Sequence, residues 1–245
     1  MLPDLAGDPY RTVLARLHAA LKPKTYFEIG TLGGATLGLA KCSSVAVDPR
    51  FGIKDTGVIL NKPTCLLFQQ TSDDFFAANK LTDLFGANVD FAFLDGMHKC
   101  EFLLRDFINT ERQSHKNTMI VLHDCIPTEI PMTGRDGIDG KAEAPHRRGW
   151  WTGDVWRTLW ALMQFRPDLS ITALDAKPTG LILITNLHPT STRLSNQYPE
   201  IEKAMLEATL SDIGIENWQA LIKVESTGNY ASDDQILAKF AFDRH

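Results

Sequence analysis

The sequence has no uninterrupted apolar run of about 18 residues, so nothing in it predicts a helix that spans a membrane. It also lacks an excess of positive charge, because 25 Lys and Arg residues stand against 30 Asp and Glu residues, a net charge of −5. This balance argues against the basic surface of a nucleic-acid-binding protein. Residues 1–8 lack the basic and apolar segments of a secretory leader. We therefore expect a cytoplasmic protein with no nucleic-acid partner and no membrane partner.

Cysteine is scarce as well, and the four residues are Cys42, Cys65, Cys100 and Cys125. No two of them form a C-x-x-C pair, which argues against a zinc knuckle and against a thioredoxin-type redox site. Scattered cysteines of this kind are typical of reduced thiols in a cytosolic protein. The sequence has no internal repeat and no low-complexity tract. With 44% hydrophobic residues over 245 positions, the chain is predicted to form one folded domain, residues 1–245.

What the sequence does contain is an alternation of strand-forming and helix-forming segments. After a helix within residues 1–24, strands are predicted at 25–31, 44–48, 64–70, 89–95 and 118–124, and helices at 35–41, 73–81 and 99–113. Short apolar strands separated by helices indicate an α/β fold, a parallel sheet with helices on both faces.

Two further strands, 170–174 and 181–186, are separated by only six residues. This connection is too short for a parallel crossover, so the two strands must form an antiparallel hairpin. The sequence thus predicts a seven-stranded sheet that is mostly parallel and ends in an antiparallel hairpin.

A glycine-rich segment, Glu28-x-Gly30-x-x-Gly33-Gly34, joins the first strand to the predicted helix after it. Glycines in such a turn let a ligand approach the backbone, and a helix N-terminus favours negative groups. Asp48 ends the second strand, where a carboxylate can accept both ribose hydroxyls of a nucleotide. Together these features predict an adenosine-containing cofactor and leave NAD and S-adenosylmethionine both open. An ordinary tight turn and a capping carboxylate are the alternatives.

Two aspartates come directly after strands, Asp95 after the fourth and Asp124 after the fifth. If these strands are neighbours, they lie about 4.8 Å apart and the two carboxylates are crowded. Crowded carboxylates need a cation or a proton between them, and Mg²⁺ is the expected ion because it prefers oxygen ligands. His123 is a third candidate ligand, although adjacent residues of a regular strand point to opposite faces. The alternative is that Asp95 positions the cofactor and Asp124 caps a turn.

His98 lies three residues beyond Asp95, where the next helix is predicted to begin. An imidazole has an ordinary pKa of about 6.5, which suits a general base near neutral pH. We therefore expect His98 to be the catalytic base of this cleft, and a bystander histidine at a helix start is the alternative.

The sheet with its terminal hairpin, together with the string E-I-G-T-L-G-G, resembles the Rossmann-like class I S-adenosylmethionine-dependent methyltransferases. In that family an acidic residue stands two positions before the glycine turn. The resemblance implies S-adenosylmethionine as cofactor and a set of cofactor-binding residues: Glu28, Gly30, Thr31 and Gly33 at the glycine turn, Asp48 at the ribose, Thr71 and Ser72 near the adenine, and Asp95.

The segment D-G-M-H after the fourth strand, with acidic character after the fifth, resembles the metal-dependent O-methyltransferases of the catechol and macrolide-sugar types. The longer string F-L-D-G-M-H-K-C-E-F-L-L-R-D resembles a bacterial methyltransferase group that includes cephalosporin-hydroxylase-like proteins. These resemblances imply O-methylation of a hydroxyl on a small molecule or sugar, with His98 as base and with Asp95, His123 and Asp124 as metal ligands. The chain departs from the macrolide-sugar type at His123, where that type has a carboxylate. An NAD(P)-dependent oxidoreductase and a non-catalytic cofactor-binding protein are the alternatives.

The remaining segments are assigned around a cofactor-binding core at residues 25–187. Residues 125–153 form a long loop rich in Pro and Gly, which we expect to cover the active site. Its ring and basic side chains are expected to contact a substrate ring and a substrate anion: Trp150, Trp151, His146, Arg147 and Arg148. A surface loop whose tryptophans pack on the next helix is the alternative. Residues 188–245 are predicted to form a helical extension, which either pairs the subunits of a homo-oligomer or covers the sheet.

Overall fold

The structure is a computed structural model that describes residues 4–240. Seven strands form one sheet in the order β3-β2-β1-β4-β5-β7-β6. In chain order they are β1 (Thr25–Ile29), β2 (Ser43–Val47), β3 (Cys65–Phe68), β4 (Val89–Leu94), β5 (Ser114–His123), β6 (Ser170–Leu174) and β7 (Leu181–Thr185). Strand β7 runs antiparallel to both β5 and β6, whereas β1 to β5 are mutually parallel. The predicted α/β fold with a terminal antiparallel hairpin is confirmed.

The strands are apolar on both faces because helices cover the sheet on both sides. Every residue of β1 is buried. Successive residues of a strand point to opposite faces, so Phe27 joins one buried hydrophobic cluster and Tyr26 joins the other. This double burial explains why the sequence of the central strands reads as nearly continuous apolar runs.

The α-helices are numbered in chain order. They are α1 (Tyr10–Leu21), α2 (Ser72–Ala78), α3 (Leu81–Phe85), α4 (Cys100–Glu111), α5 (Trp156–Phe165), α6 (Arg193–Asn196), α7 (Tyr198–Glu207), α8 (Leu210–Ile213), α9 (Ile215–Leu221) and α10 (Asp233–Lys239). Helices α1 and α10 contribute to the cluster that contains Tyr26, and α4, α5 and α7 contribute to the cluster that contains Phe27. Within residues 4–240, no helix combines the length and the apolarity that crossing a membrane requires.

Residues 35–41 do not form the predicted α-helix, and only one 3-10 turn, Leu37–Leu39, occurs there. Gly34 has a φ of 78°, which a right-handed helix does not contain, and Gly38 packs directly against Val58. Glycine also costs about 1 kcal/mol relative to alanine within a helix. The glycine turn after β1 is therefore not followed by a helix N-terminus, and the predicted electrostatic role of such a terminus was wrong.

Other predicted boundaries move by a few residues. The helix predicted at 73–81 forms as α2 but ends at Ala78, because Asn79 adopts an extended conformation and its side-chain amide donates to the carbonyl of Phe75. A separate short helix, α3, begins at Leu81. Asparagine favours such helix ends because its side chain competes for backbone hydrogen bonds. Within the predicted helical extension, the described residues 188–240 hold five short α-helices, α6 to α10, and residues 241–245 lie outside the described residues.

Candidate active site

The carboxyl ends of β4 and β5 bring two aspartates together. The strands are parallel neighbours, with Leu94 opposite Leu122. Strand β5 ends at His123, and Asp124 has a φ of 61°, a left-handed conformation that Asp tolerates better than most residues. The side chains of His123 and Asp124 therefore do not alternate across the sheet, and both lie beside Asp95.

Two imidazoles contact the two carboxylates. His123 Nδ1 lies 3.3 Å from Asp95 Oδ1 and 3.3 Å from Asp124 Oδ1. His98 Nε2 lies 3.6 Å from Asp95 Oδ1 and 3.3 Å from Asp124 Oδ2. One ligand-type atom each of Asp95, His98 and Asp124 falls within 4.8 Å of the other two. The structure thus groups the predicted base with two of the three predicted metal ligands, and His123 lies directly behind them.

The orientation of His98 is set by the long loop. His98 Nδ1 lies 3.1 Å from the carbonyl oxygen of Trp151, so in a neutral ring Nδ1 carries the hydrogen and Nε2 carries the lone pair. Burial by itself would lower the pKa of His98, but the hydrogen bond to Asp95 and the charge of Asp124 raise it above its ordinary value. A lone pair facing two carboxylates is unfavourable, so this cluster requires a proton or another cation.

His123 occupies a drier position than His98. Its side chain is 7% exposed, and Nε2 is buried without a hydrogen-bond partner among residues 4–240. The ring of Tyr10 packs against it at a centroid distance of 4.2 Å. Burial opposes a charge on His123, yet the carboxylates of Asp124 and Asp95 raise its pKa well above the ordinary value. For Asp95 burial would raise the pKa, and the charge of His123 lowers it instead.

The glycine turn after β1 is shaped by the end of β4. Gly30 has a φ of 85°, and a Cβ atom at this position would lie 1.9 Å from the carbonyl oxygen of Asp95. Glycine is therefore required at position 30 because the backbone that follows β4 packs against it. The atoms that approach Gly30 closely are those of Asp95 and Gly96, where we had expected a ligand. At Gly33, by contrast, an added Cβ would meet no atom within 4 Å, so this position borders open space.

Asp48 holds the same turn in place. Its two carboxylate oxygens accept hydrogen bonds from the backbone N–H groups of Leu32 and Arg50, each at 2.7 Å. Each oxygen retains a further lone pair, so the predicted ribose contact is compatible with these bonds and stays a prediction.

Three other predicted cofactor residues are engaged within the protein. The hydroxyl of Thr71 caps α2 by accepting from the backbone N–H of Asp74 at 3.2 Å. Ser72 faces the carboxyl group of Asp106 and lowers its pKa, against the larger effect of burial. Glu28 is completely buried and accepts from the Tyr26 hydroxyl; its burial raises its pKa to about 7, against the opposing effect of that hydrogen bond. Thr31, also predicted, is 3% exposed in the glycine turn.

Asp106 and Gln70 were not predicted from the sequence. Asp106 is 2% exposed on α4, its Oδ1 has no hydrogen-bond partner among the described residues, and it lines the same narrow crevice as Asp95 and His98. The side-chain nitrogen of Gln70, directly after β3, is likewise buried without a partner in residues 4–240. An acidic residue on the inward face of an amphipathic helix is the signal that would have identified Asp106.

The end of the long loop is fixed on His98. The ring of Trp151 lies 5.0 Å from the His98 ring, and the backbone N–H of Asp154 donates to the His98 carbonyl at 3.2 Å. Arg135 anchors the middle of the loop through ion pairs with Glu101 and with Asp154, the latter at 2.8 Å. The end of this segment therefore contacts the candidate site, and its role as a cover of the active site stays a prediction.

Some loop side chains expected to bind substrate are used differently. Arg147 is 1% exposed and pairs with Asp4 at 2.8 Å and with Glu129 at 3.4 Å. His146 pairs with the same Asp4 at 2.7 Å. The expectation that Arg147 meets a substrate anion was wrong, because the protein's own carboxylates neutralise this buried charge.

The strand order with its final antiparallel pair is the Rossmann-like fold of class I methyltransferases. No family model and no curated protein matches this chain. Solved structures do resemble it. The cofactor-bound Rv0187 from MTB is 17% identical with a TM-score of 0.51, over 76% of this chain and 83% of that one. An SAH-bound methyltransferase from Podospora anserina is 14% identical with a TM-score of 0.51, over 73% and 78%.

A third similar structure is the O-methyltransferase TomG from Streptomyces achromogenes, which is involved in tomaymycin synthesis and was solved in complex with SAM. It is 17% identical with a TM-score of 0.50, over 76% of this chain and 83% of that one. At such low identities these similarities establish the fold, and the chemistry has to be argued from the site.

Proposed function

We propose that this protein is an S-adenosylmethionine-dependent methyltransferase that methylates a hydroxyl oxygen of a small molecule or sugar, with the help of a divalent cation. The observation that carries the proposal is the convergence of Asp95, His98 and Asp124 at the carboxyl edge of a sheet with methyltransferase strand order. Ligands of open α/β sheets bind outside the carboxyl ends of the strands. Two of the similar structures hold SAH and SAM at this type of fold, which supports the choice of cofactor.

The proposed cofactor residues border this edge of the sheet. Gly33 faces open space, and the carboxylate of Asp48 retains acceptor capacity beside the glycine turn. The orphaned side-chain nitrogen of Gln70 is a buried donor that a polar ligand would satisfy. These features fit an adenosine-containing ligand. When bound, S-adenosylmethionine supplies a methyl group activated by its positively charged sulfur.

The donor set also fits a divalent cation. Asp95 and Asp124 supply carboxylate oxygens, and the proposed third ligand, His123, supplies an imidazole nitrogen. Asp124 is oriented by the hydroxyl of Thr179, which donates to its Oδ1, the type of outer hydrogen bond that positions metal ligands. A cation here would balance the two carboxylates and lower the pKa of an acceptor hydroxyl. Mg²⁺ suits the oxygens, and an imidazole extends the choice to softer divalent ions.

His98 is proposed as the general base. The Trp151 carbonyl holds the hydrogen on Nδ1, so Nε2 is the atom that accepts the proton of the acceptor hydroxyl. S-adenosylmethionine would supply its methyl group to the deprotonated hydroxyl oxygen and leave as S-adenosylhomocysteine, and His98 would retain the proton. The loop that ends on His98 would exclude water and hold the acceptor in line, and such positioning provides much of the rate.

Isothermal titration with S-adenosylmethionine and with NAD tests the cofactor. We expect S-adenosylmethionine to bind and NAD not to bind, because the usual dinucleotide-binding sheet continues with parallel strands where β7 is antiparallel. NAD binding in the absence of S-adenosylmethionine binding would identify an oxidoreductase instead. Cofactor binding without methyl transfer to any of a broad set of hydroxylated compounds would indicate a non-catalytic protein.

The substitution His98→Ala tests the base. It is expected to lower turnover by about 10²-fold or more and to leave cofactor affinity unchanged. His115→Ala is the matched control, because His115 pairs with Asp90 at the opposite end of the sheet. Metal titration of His98→Ala separates the two possible roles of Nε2. If His98 is the base, the variant retains the metal affinity of wild type. If the variant loses metal affinity, His98 is a metal ligand. Wild-type turnover in His98→Ala excludes both roles.

A further inference from the structure

A cavity of about 260 Å³ adjoins the candidate active site. Its lining includes two aromatic rings, two cations and a proline: Tyr10, Trp150, Arg11, Lys177 and Pro178. Tyr10 connects the cavity to the site, because its ring also packs on His123 at 4.2 Å. A molecule held in this cavity would therefore contact the Tyr10 ring, which in turn contacts the cluster of Asp95, His98 and Asp124 through His123.

The cavity carries unbalanced positive charge. Among residues 4–240, no carboxylate lies within 4.0 Å of the side-chain nitrogens of Arg11 or Lys177. The one carboxylate in the lining, Asp4, already pairs with Arg147 and His146. The guanidinium of Arg11 lies over the ring of Tyr10, 5.9 Å from its centroid, which does not neutralise its charge. Two cations without a carboxylate partner among residues 4–240 favour an anionic ligand in the cavity beside them.

The aromatic lining indicates the shape of that ligand. Tyr10 and Trp150 come from the start of α1 and from the long loop, and both are half-buried and line the cavity. The Tyr10 ring also contacts His123, and the Trp150 ring meets His146 edge-on. Rings of this kind stack on planar groups, and a Trp or Tyr face contributes about 0.5–1.5 kcal/mol beyond the area it buries. A planar ring with an anionic substituent matches both features of the lining.

We propose that this cavity is the acceptor site, and that the acceptor is a planar hydroxylated ring that carries a carboxylate or a phosphate. The inference rests on the proposed function and specifies its substrate class. The anion pairs with Arg11 and Lys177, the ring lies along Tyr10 and Trp150, and the hydroxyl is directed toward His98. Tyr10 and Lys177 are far apart in the chain, but the backbone N–H of Tyr10 donates to the carbonyl of Lys177 at 2.9 Å, which holds the two sides of the cavity together.

Binding of charge-matched pairs tests the inference without requiring turnover. The probes are protocatechuate with its neutral amide, for a carboxylate, and pyridoxine phosphate with pyridoxine, for a phosphate. Isothermal titration on the full chain is expected to show tighter binding of at least one anionic member than of its neutral partner. Arg11→Gln and Lys177→Gln are each expected to weaken anion binding about 2- to 5-fold, since both cations are solvent-accessible, and to leave neutral binding unchanged.

The matched control is Lys203→Gln, which removes an exposed cation on α7 whose nearest carboxylate, Glu207, is 3.9 Å away. Trp150→Leu is expected to weaken both members of a pair equally, because it removes ring contact and no charge. The pair that responds identifies the anion as carboxylate or phosphate.

Two sets of results would overturn the acceptor assignment. In the first, the neutral members of the pairs bind as tightly as the anionic members. In the second, either no anionic probe binds, or the double variant Arg11→Gln/Lys177→Gln binds the anionic probes as tightly as wild type does. Titration with S-adenosylmethionine is run on the same samples. If the probes bind in a charge-dependent way but S-adenosylmethionine does not bind, the anion site is supported and the proposed methyltransferase function is refuted. If S-adenosylmethionine binds but the probes show no charge dependence, only the proposed acceptor class is refuted.

Discussion

Replacing Asp106 by Asn tests the burial of a carboxyl group that lies beside the candidate site. Asp106 is 2% exposed, and its Oδ1 has no hydrogen-bond partner within residues 4–240. Burial raises the pKa of Asp106 from 3.8 to about 7, although Ser72 opposes this effect. The folded chain therefore binds the Asp106 proton more tightly than the unfolded chain does.

The sign of the pH dependence follows from this difference. Between about pH 4 and pH 7 the folded state keeps a proton that the unfolded state has released, so stability falls as the pH rises. The full difference in pKa corresponds to roughly 4 kcal/mol of stability above pH 7. Asparagine has nearly the same shape and does not ionise. The variant is thus expected to be only about 1 kcal/mol more stable than wild type near pH 4.5 and about 2–4 kcal/mol more stable near pH 8.

Urea unfolding at a series of pH values measures this effect, and the quantity to follow is the difference between variant and wild type. The wild-type curve alone is insufficient, because other buried groups titrate in the same range. Burial, with a smaller effect of Lys62, lowers the pKa of His18 to about 3, which makes stability rise with pH. Burial raises the pKa of Glu28 to about 7, which acts in the same direction as Asp106.

The matched control is Asp83→Asn, since Asp83 is exposed on α3 and has no burial to relieve. Its free energy of unfolding is expected to differ from wild type by a few tenths of a kcal/mol at both pH values. Two results would show that the fold does not hold Asp106 protonated. In one, Asp106→Asn exceeds the stability of wild type by the same amount at pH 4.5 and at pH 8. In the other, it is less stable than wild type near pH 8.

Two further substitutions test how the site is supported. Gly30→Ala places a Cβ 1.9 Å from the Asp95 carbonyl and is expected to cost about 3 kcal/mol or more, whereas Gly86→Ala, with φ 68° and open space around it, should cost about 1–2 kcal/mol. Arg166→Met leaves the buried carboxylate of Glu111, now paired at 2.6 Å, without its cation, so about 3–5 kcal/mol is expected. Arg193→Met, an exposed control, should change little; denaturant midpoints measure all four variants.

Much of the fold is predictable because its signals are local. The strands of the sheet read as short apolar runs since both faces are covered, and a six-residue link between β6 and β7 is compatible only with an antiparallel pair. The helix predicted at 35–41 failed for an equally local reason, because Gly34, directly before it, adopts a left-handed conformation that a right-handed helix does not contain.

The site is only partly predictable. Asp95 and Asp124 could be placed together because they follow strands that the resemblance makes neighbours, and the carboxyl ends of parallel strands meet at one edge. The left-handed conformation of Asp124 was not predicted, and it determines that His123 and Asp124 lie on the same side. The metal-ligand and cofactor roles of these residues stay predictions.

By itself the sequence determined the α/β class, the terminal hairpin and the pair of aspartates, since each depends on periodicity, on the length of a connection or on position at a strand end. Only the tertiary structure decided that Arg147 is neutralised by Asp4, and that Arg11 and Lys177 border a cavity with no carboxylate partner among residues 4–240. The physical reason is that burial and charge pairing depend on residues far apart in the chain. Such contacts form only when the helices, the sheet and the long loop have packed together.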